Sequence, residues 1–537
     1  MADEKVLDIN NISKDQFEFV SDEGRLHDQK LDTKPVGYLR DAMKRFAKNK
    51  SSVVAAVIIG ILVLFAIFGT FFCNQGYQNA YASETVIKRY KQLLPKIAAF
   101  EGSGFWDGSQ KKEVPLARMY IYQAMAIETG YDPVQKLVKT EEVGIGTKKS
   151  TLYTVRVDSY YANPVFTLTL TKKEYDELQA WQNETGIQII LPRVDEVLCP
   201  LNKTEKSIWY VSDASGYPLD SATVDENGKP TGKAIKKEGA TLIPAYVKGT
   251  DDAYNSLRIA GDPGIADPNS PDRYSYAQVT GAAGQENYVV RISPYNYFQY
   301  KFGFKPSFIF GTDARGFDII SRLASGARFS LLLALIVSIV NLTIGAIYGA
   351  IEGYYGGIID LAMERFSDII ADIPFMVVTV LFQLHLASKV GVVGSLIYAF
   401  ILTGWIGMAA RVRMQFYRFK NQEYVLAART LGASDRRIIW RHIFPNSLGT
   451  IITGSILVIP GVIFSETSLS YLGIINLDST TMSSVGSMLS AGQDIMTSAP
   501  HVVLFPAIFI ALLEISFNLV GNGLRDAFNP SLRGSEG

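Results

Sequence analysis

Two cysteines and four histidines in 537 residues leave little room for metal or redox chemistry. Cys73 and Cys199 make no ligand pattern, and His27, His385, His442 and His501 are scattered with no H-E-x-x-H among them. Neither a metal site nor any other cofactor is therefore expected. A Cys73–Cys199 disulfide is not expected either, although the sequence leaves it open. No G-x-x-x-x-G-K-[ST] occurs, since Gly228-Lys229 runs into Pro230 and Gly232-Lys233 into Ala234. Without that phosphate cradle the chain is not expected to be an enzyme, and a pump built on it needs a separate ATPase. A surplus of charge is missing as well: 52 basic residues balance 52 acidic ones, which argues against a nucleic-acid partner.

What the chain has is apolar residue, 48% of the total, gathered in long runs. About 20 such residues cross roughly 30 Å of hydrocarbon. Six runs qualify, at about 52–73, 329–351, 367–388, 391–413, 448–472 and 501–522. The third opens on Asp368, Asp372 and Pro374, so its first turn belongs at an interface or against protein. The expectation is an all-α polytopic membrane domain of six helices, the first over 51–73 and the rest within 329–522. The polar stretch 1–50 is too long for a cleavable signal and is expected to remain as a cytoplasmic tail. Lys34, Arg40, Lys44, Arg45, Lys48 and Lys50 favour that side. Six crossings return the tail 523–537, with Arg525 and Arg533, to the cytoplasm. Arg315, Arg322 and Arg328 then fall outside, an exception assigned to an amphipathic segment over 305–328.

Between the first two runs lies a polar region, 74–304, large enough for one folding unit or two small ones. It is expected outside the cell membrane as an inserted α+β domain. Stretches 84–100, 115–129 and 172–182 read as helices, while 152–157 and 188–194 read as strands. Asn227-Gly228 suggests a hairpin turn flanked by Thr223-Val224 and Ala234-Ile235. The loop 261–271 carries aspartates, but its Gly and Pro content points to turn chemistry over calcium. Tyr160, Tyr161, Tyr295, Tyr297 and Tyr300 could form a contact surface, with core packing the favoured role.

The segment 423–446, EYVLAARTLGASDRRIIWRHIFPN, separates two apolar runs. Ala427 and Ala428 leave a helix surface without bulk, Gly432 ends it, and Pro445 is expected to stop a second helix before the membrane resumes. On charge alone, a surface helix-turn-helix with a solvated basic face is the favoured reading. The membrane context changes that balance, because Arg411, Arg413, Arg418, Lys420, Arg429, Arg436, Arg437 and Arg441 suit a cytoplasmic loop. The spacing resembles the EAA loop of ABC-importer permeases, here spanning 415–446. Leu426 stands where many importers have Glu and His442 where many have Ile; both departures are familiar in peptide-importer permeases.

A second stretch, 310–331, reads FGTDARGFDIISRLASGARFSL. Its Gly311, Thr312, Asp313, Gly316, Asp318, Ser321 and Arg322 resemble the FGTD-x-x-G-x-D-x-x-SR segment of the C-type permease subunit of oligopeptide and dipeptide importers, with Phe317 where that family usually has Arg. From the residues alone, the glycines make turns and the acids and Arg322 pair or cap the following helix. Stretches 353–360 with Arg365 and Asp368, 466–473 and 521–530 resemble the same family, the last with Asn522 and Asn529 where Asp is common. A proline-rich loop ending in Trp-Gly is replaced by 477–486, which has neither. The resemblance covers the first membrane run and 306–537, and relatives usually have only a short loop in place of the insertion.

The resemblance implies a type I ABC importer permease fold. It also implies a second permease subunit forming a heterodimer, two ATPases, an extracellular solute-binding protein and a peptide substrate. Glu423, Ala427, Ala428, Gly432, Ala433, Ser434, Arg441 and Pro445 would then form the ATPase-coupling surface. Polar membrane residues Asn341, Gln383, Glu466, Glu514 and Asn518 are candidates for the path, each with a helix-to-helix hydrogen bond as the plainer alternative. A nickel or other small-solute permease, a membrane-anchored receptor and a passive channel stay open, although the last two leave the coupling helix without a purpose.

Overall fold

A computed structural model describes residues 38–72, 89–143, 150–226, 229–249, 274–282, 284–478 and 483–528. Helix α1 (Tyr38–Lys48) meets α2 (Lys50–Phe68) at Asn49, whose side chain caps α2 by accepting from the Ser52 N–H at 3.3 Å. Ser52, Ala55 and Ala66 form the narrow buried strip of α2, whereas Val54, Val57, Ile61 and Leu64 lie exposed as a lipid-facing helix requires.

The inserted region has two cores. In the first, β1 (Ser109–Pro115) leads directly into α3 (Leu116–Thr129), followed by β2 (Val134–Val143) and β3 (Ser150–Asp158). The three strands form an antiparallel sheet in the order β1-β3-β2. In the second, β4 (Phe166–Thr171), α4 (Lys172–Thr185), β5 (Ile190–Leu191), β6 (Ala277–Thr280), β7 (Asn287–Ile292) and α5 (Pro294–Phe302) surround a sheet ordered β4-β7-β5, with β6 also on β7. Thr171 and Glu174 make a reciprocal capping box that starts α4. A buried ion pair joins the cores: Arg291 on β7 donates to both carboxylate oxygens of Glu128 on α3, at 2.8 and 2.9 Å. Burial lifts the Glu128 carboxyl above its ordinary range against the pull of Arg291. Tyr160, Tyr161, Tyr295, Tyr297 and Tyr300 all belong to the second core.

Several sequence expectations change here. The described part of 84–100 is turns with one short 3-10 helix at Ala98–Phe100, not a long helix. Only Ile190–Leu191 of 188–194 is strand. Thr223 and Thr231 pair across the expected hairpin, while its tip at 227–228 and the loop 261–271 lie outside the described residues, as do Cys73 and Arg533.

The helical part continues with α6 (Ile319–Tyr355), α7 (Gly357–Ala371), α8 (Phe375–His385), α9 (Ala387–Gly404) and α10 (Ile406–Phe419). It then runs through α11 (Glu423–Thr430), α12 (Phe444–Ile456), α13 (Val458–Tyr471), α14 (Val485–Gly492) and α15 (His501–Phe528). Among the described residues, five helical stretches are long and apolar enough to cross a membrane: Lys50–Phe71, Ile319–Tyr355, Ala387–Phe419, Asp435–Tyr471 and His501–Phe528. The expected third span is a broken pair, α7 and α8, bent by 71°, which makes a sixth crossing only if the two count as one. Pro374 explains the break, because it has no N–H to donate and disfavours helical backbone at Ile373.

No separate amphipathic segment occupies 305–328: the chain is irregular to Asp318, then enters α6 without interruption. Pro445 likewise does not stop a helix. A π-helical turn over Ile438–Ile443, in which the Phe444 N–H reaches back to the Ile439 carbonyl, carries the chain into α12 and leaves Pro445 in that helix's first turn. Helix α15 extends to Phe528, past the expected end at 522.

Candidate coupling and translocation sites

Helix α11 has two unlike faces. Val425 is buried, and together with Ile438, Ile439 and Ile443 it packs against Ala346, Ala350 and Tyr354 of α6 and Met408, Val412 and Phe416 of α10. On the other face Glu423, Ala427 and Arg429 are exposed beside Tyr424 and Leu426. Gly432 adopts φ +81, which turns the chain out of the helix. Just before it, Leu431 is 87% exposed, an apolar side chain held away from its own protein. Ser434, Arg441 and Pro445 are exposed nearby, while Ala428 and Ala433 are half-buried. The coupling candidates therefore share one end of the molecule, on a rim with Trp440.

That end is fastened to α6. The Tyr354 hydroxyl donates to Asp435 at 2.5 Å, and its ring lies 5.9 Å from the Arg429 guanidinium. Gly345, Gly349 and Gly353 recur every fourth residue along the α6 face that meets α10. A Cβ at Gly345 would stand 2.7 Å from the Trp405 carbonyl oxygen and one at Gly353 2.8 Å from that of Arg413; at Gly349 it would collide with the Ala409 carbonyl. These three residues let two backbones touch.

Arg413, counted above only as a cytoplasmic charge, is instead a hub. It donates to Asp360 at 2.6 and 2.9 Å and to Glu364 at 2.6 and 3.1 Å, with Glu352 at 3.5 Å and the Tyr417 hydroxyl also on Asp360. Sequence reasoning missed both the glycine ladder and this cluster. Their signals were the G-x-x-x-G-x-x-x-G repeat at 345–353 and acids 360 and 364 beside an apolar run. Arg411, Arg418 and Arg525 converge differently, around a cleft of about 390 Å³ between α10, α12 and the end of α15, with Thr450 and Thr453 on its wall.

At the opposite end, 310–322 joins the insert to α6. Thr312 accepts the Leu93 N–H at 2.8 Å through Oγ1, donates its hydroxyl to the Tyr90 carbonyl, and its own N–H meets the Leu93 carbonyl at 3.0 Å. Gly311, at φ +78, faces that same carbonyl where a Cβ could not fit. Asp313 accepts the N–H groups of Arg315 and Phe317 at 2.8 and 2.9 Å around Gly316, and Asp318 caps α6. Burial raises the Asp313 carboxyl above its usual range despite Arg322. Arg322 pairs with Asp478 and stacks on Phe317, Arg315 pairs with Asp478 at 2.8 Å, and Arg328 donates to the Ala66 and Ile67 carbonyls that end α2. Arg315, Arg322 and Arg328 thus each have a local partner.

The path candidates do not form one site. Asn341 donates to the Phe400 carbonyl at 3.3 Å, a bond between helices. Gln383 donates to the Val392 carbonyl at 3.1 Å, beside the non-helical Gly391. Glu466 is fully buried and accepts from Ser330 and Ser470, each at 3.0 Å. Glu514 is half-buried, and the exposed Asn518 donates to its backbone carbonyl at 3.0 Å.

Residues 341–534 match the family model described as the binding-protein-dependent transport system inner membrane component, and residues 37–94 match the N-terminal TM domain of oligopeptide transport permease C. Residues 95–340 lie in neither match. The chain is 42% identical over 224 residues to the oligopeptide transport system permease protein OppC of Bacillus subtilis (strain 168), covering 42% of this chain and 72% of that protein. It is 39% identical over 225 residues to the dipeptide transport system permease protein DppC of the same organism, covering 42% of this chain and 69% of that protein. A solved structure of the MetNI methionine ABC transporter in an inward-facing conformation aligns with 38% of this chain and 96% of that one, at 16% identity and a TM-score of 0.31.

Proposed function

The chain belongs to the binding-protein-dependent transport permeases, in the oligopeptide permease C group, and from that premise we propose that it forms half of the translocation path of an ATP-driven peptide importer. A second permease supplies the other half of a heterodimer. Two ATPases act from the cytoplasmic side, and a solute-binding protein delivers peptide on the side of the insert. The insert, 74–304, is extracytoplasmic in this reading, with both tails cytoplasmic. Its position in the chain, between the first two membrane runs, suits docking of the binding protein or guidance of substrate inward.

The observation that supports this reading is the two-faced coupling loop. An ATPase cleft closing on Ala427, Leu431 and the rim around Gly432 pushes a body whose rear is packed into α6 and α10. Because Tyr354 and the glycine ladder leave little slack, displacement of α11 moves both helices together. Among the path candidates, Gln383, Glu514 and Asn518 are the ones left at half-buried or exposed positions. Asn341 and Glu466 act as polar contacts between helices. Choice of peptide rests with the binding protein.

Leu431→Asp tests the proposal cleanly, since so exposed a side chain contributes little to folding. The co-expressed membrane subunits should assemble normally, whereas peptide-stimulated ATP hydrolysis in proteoliposomes should fall at least about tenfold, the equivalent of roughly 1.4 kcal/mol. Unchanged stimulation would remove α11 from the coupling path.

A further inference from the structure

The insert carries an aromatic loop at its base that no transport role absorbs. Between Ala98–Phe100 and β1, the chain turns at Gly102 (φ +76) and Gly104 (φ +84) and presents Phe100, 43% exposed, and Phe105, 63% exposed. Their rings pack edge to face at 6.2 Å, and Phe105 meets Trp106 at 5.0 Å. Trp106 sits at φ +54, a conformation costing a non-glycine residue about 1–2 kcal/mol. Its neighbours hold it there: the Ile97 N–H donates to its carbonyl at 2.7 Å, and its indole N–H donates to the Ile309 carbonyl. Behind the loop, Arg156 donates to the Gly104 carbonyl at 2.8 Å and Asp107 accepts the Gly104 N–H at 2.8 Å. The rings are thus carried by a braced turn.

Their location identifies what they face. Trp106 lies 5.8 Å from Phe505, which stacks on Phe310 at 4.0 Å. Phe505 belongs to the second turn of α15, inside one of the stretches able to cross a membrane. Arg328, immediately before the apolar run of α6, holds carbonyls in the last turn of α2, near which Phe68 and Phe71 are exposed. The aromatic loop therefore lies at the level where the apolar helices begin, beside exposed Ile309. Tryptophan concentrates at that depth in membrane proteins, because an apolar body with a polar N–H suits the boundary between headgroups and acyl chains, and the phenylalanines beside it carry no polar atom to keep in water.

We propose that Phe100, Phe105 and Trp106 insert into the lipid leaflet on the insert's side of the membrane and fix the base of the inserted domain against the bilayer surface. The occupant is lipid and not a second protein, since Trp106 packs on Phe505 and so sets the exposed rings beside a helix long and apolar enough to cross a membrane.

The test uses the co-expressed transporter in phosphatidylcholine vesicles, with Cys73→Ser and Cys199→Ser as background and a nitroxide on Ser103→Cys. That exposed position lies between the two phenylalanines and retains all three aromatic residues, its hydroxyl bonding the Phe105 backbone at 2.9 and 3.2 Å while Arg156 and Asp107 brace the turn from behind. Collision with dissolved oxygen should exceed collision with a water-soluble nickel chelate several-fold, the reverse of a label on Leu137→Cys, exposed on β2. Adding Phe105→Asp should move the ratio at 103 toward the value at 137. Equal ratios at 103 and 137 would overturn the proposal. So would a label at 103 shielded from both reagents, which would mean that a partner protein covers the loop.

Discussion

The two halves of α6 are held by different physics. Toward the insert, the apolar packing of Leu323, Ala327 and Leu333 is joined by polar bonds that reach separate segments: Arg322 to Asp478, Ser330 to Glu466 on α13, Arg328 to the end of α2. Toward the coupling loop, the same helix presses bare backbone onto α10 through Gly345, Gly349 and Gly353 and closes on Asp435 through Tyr354. Close-packed backbone has no alternative arrangement nearby, whereas a hydroxyl or guanidinium can exchange one acceptor for another at small cost. In the proposed importer the coupling-side half would therefore travel with the loop as one body, and the insert-side half would be where contacts are remade as the path opens.

The sharpest way to break this contrast is Gly349→Leu. Any Cβ at 349 runs into the Ala409 carbonyl, and backbone cannot rotate away as a side chain could. Separating α6 from α10 should cost about 3 kcal/mol or more and abolish assembly of the membrane subunits, read as loss of a monodisperse complex in detergent. Retention of that complex would show that the ladder is slack.

On the insert-side half, Glu466→Ala should be milder. It leaves the hydroxyls of Ser330 and Ser470 without their acceptor in a fully buried place, a loss of about 1–3 kcal/mol. Both serines can turn to a carbonyl one helical turn back, which softens the loss. The complex should survive with a lower melting temperature, and Glu466→Gln, which keeps an acceptor oxygen, should recover part of the shift. Equal losses for Glu466→Ala and Gly349→Leu would erase the distinction between the halves.

How far the sequence disclosed these features depended on whether the signal was local. Apolar runs, the glycine that ends α11 and the turn residues Asp313 and Gly316 act within a few positions, so their roles were readable. Arg413 was not, because its acceptors Asp360 and Glu364 are some fifty residues away and its charge alone also fits a loop. Pro445 misled for a related reason: a π-helical turn upstream removes the demand for its missing N–H, and nothing in the spacing of residues announces that turn. The broken pair α7 and α8 had a visible cause in Pro374, but composition counts length and not direction. In the insert, β7 takes β4 and β5 as partners across about a hundred residues or more, which left its two cores invisible.

The smallest effect on stability, and the most telling for mechanism, belongs to Tyr354→Phe. It removes one hydroxyl from the joint between α6 and the coupling loop while the ring stays packed against Val425 and Ile438. Folding should lose about 1 kcal/mol or less, a shift near the limit of a thermal melt. Transmission depends on the joint differently. With the bond to Asp435 gone, the exposed chain from Ser434 to Arg437 is held beside α6 through the apolar contacts of its neighbours Ala433, Ile438 and Ile439, which permit sliding where a hydrogen bond fixes register. The variant should hydrolyse ATP at the basal rate of the parent while moving less peptide per ATP, measured as radiolabelled peptide uptake against phosphate release in the same proteoliposomes. Asp435→Asn retains an acceptor and should behave nearly as the parent. An unchanged ratio for Tyr354→Phe would place the joint in the glycine ladder alone; a lowered ratio with full stability would locate transmission in the contact between Tyr354 and Asp435.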